Sequence, residues 1–275
     1  MIKIDDDTRA RALALYPGLE DPFDDDYVKR EIAWYNAPDE YEQGTVKLVK
    51  HPLLGRCDDY LNVNFRADPT MVVPVFAIEG QTYMSLTPME VQSATLAIYL
   101  AAGDVATCGL GMGYFALKCA AKDNVTRVTV YERNQDVIDY FTEHFADREG
   151  YEKIVIVKGD ARETLRERRH DFVYVDTYAT MLPDEIVDDI ALYGAENEIN
   201  EYWFWGLERV VLSALVNEQI STYDIPNELR VYFLMWQSRE ASDLRFDECD
   251  PDYSADVLNA LAESVVSSLD LIIEQ

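Results

Sequence analysis

Long apolar runs are missing from this chain: nowhere do the roughly 18 uninterrupted apolar residues of a membrane-spanning helix occur. Its first residues, MIKIDDDTRARALALYPG, are acidic where a secretory leader would be basic and then apolar. A cytoplasmic location without a membrane partner is the expectation. Positive charge is scarce as well. Against 52 acidic side chains stand 24 basic ones, a formal charge of −28, which repels a phosphate backbone unless cations concentrate locally. The densest basic stretch, RETLRERRH, falls where a helix would end and where cations complement the helix dipole. Nucleic acid is therefore not an expected partner, and the charge favours a cationic or small neutral substrate, although a solubilising acidic surface accounts for it equally well. Cys57, Cys108, Cys119 and Cys249 are scattered, and neither they nor His51, His144 and His170 show zinc-ligand spacing. No metal is expected, and the thiols read as reduced and mostly buried.

What the chain has is apolar material: 48% hydrophobic residues over 275 positions suffice for a packed interior. Residues 1–84 read as a small α+β unit. Acidic runs DDD at 5–7 and 24–26 suit solvated surface or helix starts, because three consecutive carboxylates do not all point inward. The runs GTVKLVKH, DDYLNVNFR and TMVVPVFAIEG predict an antiparallel sheet. In TPME, at 87–90, Thr precedes Pro at the first helical position and Glu follows three after the cap, the signature of a helix start. From residue 105 the runs VATC, RVTVYE, KIVIVKGD and DFVYVDTY lack clean alternation, as strands buried on both faces do. Between them Val137, Phe141 and Phe145 make a helical stripe. The expected fold is α/β, a Rossmann-like doubly wound sheet over 85–237, with a helical C-terminal segment over 238–275. LPDEIVDDIALYG, EYWFWGLERVVLSALVNEQI and SADVLNALAESVVSSLDLIIEQ read as helical, and ELRVYFLMWQ as a late strand.

In such a sheet ligands bind beyond the carboxyl ends of the strands, so the residues that end each strand carry the chemistry. Gly109, Gly111 and Gly113 permit a tight strand-to-helix turn and a close backbone approach. Glu132 can accept hydrogen bonds from both hydroxyls of a ribose. Asp160 is placed for a purine amino group, and Asp176, with Tyr178 beside it, lies nearer the reacting centre. Together they predict a nucleoside-containing cofactor.

The segments CGLGMGYFA, VYERN, KGDA and FVYVDTY, over residues of about 85 to 180, resemble the class I S-adenosylmethionine-dependent methyltransferases. That resemblance implies S-adenosylmethionine as cofactor. Its methionine part would lie over Gly109, Gly111 and Gly113, its ribose on Glu132, and its adenine by Asp160 and the amide of Ala161. Asp176 would stand beside the transferred methyl group as orienting group or base, with Tyr178 as a wall of the acceptor pocket. Tyr83, Ser85 and Thr87 would line the entrance. Thr107 departs from the pattern, since many members carry an acid there for the cofactor's amino group. A more distant resemblance to spermidine synthases implies aminopropyl transfer, but Tyr114 and Ala179 stand where those enzymes carry acids. Two further readings stay open. GMGYFA also satisfies the dinucleotide pattern G-x-G-x-x-A, which fits an NAD-dependent dehydrogenase. The aromatics of EYWFWG fit either a core or the contact face of a non-catalytic binding module.

Overall fold

In the computed structural model, residues 13–14, 17–22, 24–53, 56–58, 60, 64–66, 71–166, 168–178, 188–189, 192–193 and 198–206 are described. Helix α1 (Asp25–Tyr35) starts where the second acidic run lies: the Asp24 carboxylate accepts from the N–H groups of Asp26 and Tyr27 at 2.7 and 3.0 Å. That run is thus helix-start chemistry. Strands β1 (Glu40–Gln43), β2 (Val46–Pro52), β5 (Val72–Ile78) and β6 (Gln81–Ser85) form an antiparallel sheet in that order. β3 (Arg56–Asp58) and β4 (Asn64–Arg66) pair separately. Buried Val46 and Leu48 flank exposed Lys47 in β2, the period-two pattern of a sheet covered on one face.

Helix α2 (Pro88–Leu100) then leads into β7 (Gly103–Cys108), followed by α3 (Tyr114–Ala120), β8 (Val125–Glu132), α4 (Gln135–Phe145), β9 (Ile154–Lys158), α5 (Ala161–Thr164), β10 (Arg169–Val175) and β11 (Glu198–Phe204). These five strands make one sheet in the order β11-β10-β7-β8-β9, every neighbouring pair parallel. The fold is Rossmann-like α/β. Val105, Ala106, Thr107 and Cys108 are all buried, which is why the β7 run shows no alternation. The chain winds outward from β7 to β9 and resumes on the other side at β10, so the crevice of the switch point opens between β7 and β10. Cys108 and Cys119 are free and buried, and burial pushes the Cys119 thiol up to about 12. No helix among the described residues is long and apolar enough to cross a membrane.

One expectation is corrected. Residues 198–204, of which EYWF was read as the start of a helix, form β11, in register with β10 through Val173 opposite Tyr202 and Val175 opposite Phe204. β-Branched and aromatic side chains suit a strand flanking a buried sheet better than a helix. Trp203, Phe204 and Trp205 are all buried, and the Trp205 indole donates to Ser93 Oγ at 3.0 Å. Trp203, Phe204 and Trp205 are core, so these side chains do not offer a contact face. ELRVYFLMWQ and residues 238–275 lie outside the described residues, as does most of LPDEIVDDIALYG.

The architectural change at residue 84 is not a break in packing, because a single cluster of buried residues runs from Tyr27 through Leu48 and Phe76 to Phe141 and Phe172. Specific bonds reinforce it. Tyr35 donates to the Met112 carbonyl at 2.6 Å, Tyr114 donates to Glu31 at 2.7 Å, and Thr45 donates to Asp136 through both N–H and hydroxyl, each at 2.7 Å.

Candidate cofactor site

Four ladder hydrogen bonds extend one residue beyond the strands: Gly159 N–H to the Glu132 carbonyl, Gly109 to Tyr131, Asp176 to Cys108 and Trp205 to Val175, each 2.9 Å. Asp160, Glu132, Gly109 and Asp176 therefore stand on neighbouring strand ends along one rim. In space they run Asp176, Gly109, Glu132, Asp160, because β10 lies on the far side of β7.

At the centre of the rim, Gly109, Gly111 and Gly113 hold φ of +91°, +52° and +82°, a region that costs other L residues about 1–2 kcal/mol each. Their surroundings differ. A Cβ on Gly109 would collide with the Asp176 carbonyl, and one on Gly113 with the Phe141 ring. On Gly111 it would meet only the end of the Met84 side chain, the sulfur at 2.5 Å and the methyl at 3.4 Å. Two of the glycines are thus required by packing, and the third is covered by the end of a flexible side chain. The Met112 N–H donates to the same sulfur at 3.0 Å.

Glu132, 7% exposed, clamps this turn: Oε2 accepts from the Leu110 N–H at 3.0 Å and Oε1 from the Asn134 N–H at 2.7 Å. A carboxylate offers about four acceptor sites, so two remain for ligand hydroxyls. Thr107 braces the turn from below, its hydroxyl donating to the Gly109 carbonyl at 3.0 Å. An ionised acid at this position has no proton to make that bond.

A cavity of about 30 Å³ lies against the turn, bounded by Gly109, Gly111, Thr107, Met84, Glu90 and Asp176. Its remaining wall includes Phe115 stacked on Tyr174 at 4.2 Å between ring centroids. Burial raises the Asp176 carboxyl to about 7. Burial, and then the charge of Asp176, raise Glu90 to about 8. Glu90 was missed by the sequence reading because a Glu three after an N-cap is accounted for locally. In the structure the Thr87 side chain makes no cap bond, and Glu90 borders the cavity instead.

Asp160 begins α5, with Oδ1 accepting from the Arg162 N–H at 2.9 Å and Oδ2 3.9 Å from the Arg133 guanidinium. Ala161 follows as the first helical residue, whose N–H has no acceptor within the helix. Within the basic stretch, Arg162 makes a two-pronged pair with buried Asp189 at 2.7 and 3.0 Å, and Arg166 donates to the Arg162 carbonyl at 3.1 Å. Tyr83 in β6 is 44% exposed; partial desolvation, then the charges of Glu132 and Asp176, push its phenol up to about 12. Ser85 is partly buried at the end of β6. Tyr178 is placed differently from Asp176. Its buried phenol, raised far above the ordinary range, faces Asp189, Tyr193 and Cys108 and does not border the cavity.

No family model matches the chain, and no curated protein matches it. Among solved structures it is similar to the CcbJ methyltransferase from Streptomyces caelestis, at 24% identity over 37% of this chain and 44% of that one, with a TM-score of 0.31. It is similar to the SAH-bound Podospora anserina methyltransferase PaMTH1 at 14% identity over 67% and 70%, with a TM-score of 0.37. It is also similar to the spermidine synthase from Thermotoga maritima at 16% identity over 55% and 56%, with a TM-score of 0.33. The chain spans 60%, 44% and 58% of the first three structures it matches, and the strand order alone fixes its fold class.

Proposed function

We propose that this protein is a transferase that binds S-adenosylmethionine at the β7 rim and moves its methyl group to a small neutral or cationic acceptor. The observation that carries this reading is the bonding of the glycine turn to Glu132 on one side while Asp176 stands across the same turn on the other. The residues fit such a cofactor. Gly111 is covered only by the Met84 thioether, Glu132 keeps acceptor capacity for ribose hydroxyls, and Asp160 with the Ala161 N–H offers an acceptor and a donor to a purine. When bound, S-adenosylmethionine supplies an electrophilic methyl group for in-line displacement.

The protein's share of the work is alignment and, for an acceptor that must lose a proton, a base. Asp176 suits that role because its carboxyl titrates near neutrality, where it exchanges a proton readily. Its ionised form is the competent one, so kcat/KM, which reads the ligand-free enzyme, should rise with pH through about 7. Asp176→Asn should lower turnover by roughly 10²–10⁴ and abolish that rise, while cofactor affinity stays within a few-fold of the parent. Calorimetry and a labelled-methyl assay on one preparation, screened against amines, carboxylates and phenols, check this. Unchanged turnover in the variant would remove Asp176 from the chemistry. Cofactor binding with no transfer to any acceptor, including the components of a cell extract, would replace the enzyme reading with that of a binding module.

A further inference from the structure

Glu90 and Asp176 come from different elements, the first turn of α2 and the residue after β10, yet border the same cavity. None of the side chains lining that cavity is a Lys, Arg or His. Among the described residues, no ion pair or hydrogen bond engages either carboxylate. Two carboxylates sharing a desolvated space repel each other, and the wall contains nothing to offset the charge. The Thr107 hydroxyl is occupied with the Gly109 carbonyl, and the rest of the lining is apolar, aromatic or glycine backbone.

Charge narrows what can fill the space. The cavity, about 30 Å³, has room for a group the size of a water molecule. A primary ammonium has that size and carries three donors and a full positive charge. We infer that Glu90 is a ligand-positioning residue whose carboxylate receives the primary ammonium group of the bound ligand, so that the cavity selects ligands that carry one. This rests on the cofactor reading above and deepens it. Asp176 adds its field to the same ammonium but is not its main partner, since it also has to face the acceptor. Because burial and Asp176 hold Glu90 protonated up to about 8, an arriving cation expels its proton near neutral pH.

The experiment compares S-adenosylhomocysteine, which has the ammonium and a carboxylate, its decarboxylated form, which has the ammonium alone, and 5′-methylthioadenosine, which has neither. Calorimetric titration of parent and Glu90→Gln, at pH 7 in two buffers of different ionisation enthalpy, reads affinity and proton release together. The parent should prefer both ammonium ligands and release a proton on binding them. Glu90→Gln should lose at least tenfold in affinity for those two, keep its affinity for 5′-methylthioadenosine, and release no proton. Equal loss for all three ligands, or a preference that survives in the variant, would overturn the role of Glu90 and leave the cofactor site standing. If the parent binds none of the three, the cofactor reading fails and this inference with it.

Discussion

Glu132 braces a turn and still keeps acceptor capacity that a ligand could use. Its two oxygens accept from the Leu110 and Asn134 amides, which ties the glycine turn to the end of β8 before any cofactor arrives. Glu132→Gln keeps the shape but turns one acceptor into a donor facing an N–H. The ligand-free variant should therefore be less stable by about 1–3 kcal/mol, measured by urea denaturation. Unchanged stability would mean that the clamp is not formed in solution. At this scale much of the candidate site's placement was legible. Gly109, Glu132, Asp160 and Asp176 each end or follow a recognisable strand, and hydrogen bonds between strand ends put them in one row, with Gly111 and Gly113 in the turn after Gly109. Glu90 was not legible, because the N-cap pattern supplies a sufficient local reason for a Glu there. Nor was the position of Tyr178, since sequence adjacency to Asp176 does not say which way the chain turns after a strand.

Among the elements, β6 decides access to the turn. Met84 extends from this strand of the antiparallel sheet onto Gly111 and accepts from the Met112 N–H at 3.0 Å. A ligand lying on Gly111 has to displace that thioether. Met84→Ala should raise affinity for S-adenosylhomocysteine at least threefold by calorimetry, since the displacement is no longer needed. A fall in affinity would show that Met84 is a wall of the bound state instead. The parallel strands could be read from the sequence because strands buried on both faces are continuous apolar runs of limited length. β11 could not. Its aromatic end runs directly into a long apolar stretch with helical spacing, and only its place beside β10, with Val173 opposite Tyr202, makes a strand the better arrangement.

For the molecule as a whole, the antiparallel sheet and α1 are bonded to the Rossmann-like unit through Tyr35, Glu31 and Thr45, and the sheet brings Met84 over the glycine turn. A net charge of −28 surrounds a cavity with two carboxylates and no cation in its wall, consistent with a ligand that brings positive charge. On our proposal the glycine turn at the switch point binds an S-adenosylmethionine-type cofactor. Thermal melting of the parent and of Gly111→Val, each with S-adenosylmethionine and with NAD, tests it most directly. A ligand at a hundred times its Kd stabilises the native state by about 2.7 kcal/mol, enough for a clear shift. The parent should be stabilised by S-adenosylmethionine and not by NAD. Gly111→Val should melt cooperatively and show no shift, because its side chain stands at φ +52° where the ligand would lie. An equal shift in parent and variant, or a parent stabilised by NAD alone, would contradict the account.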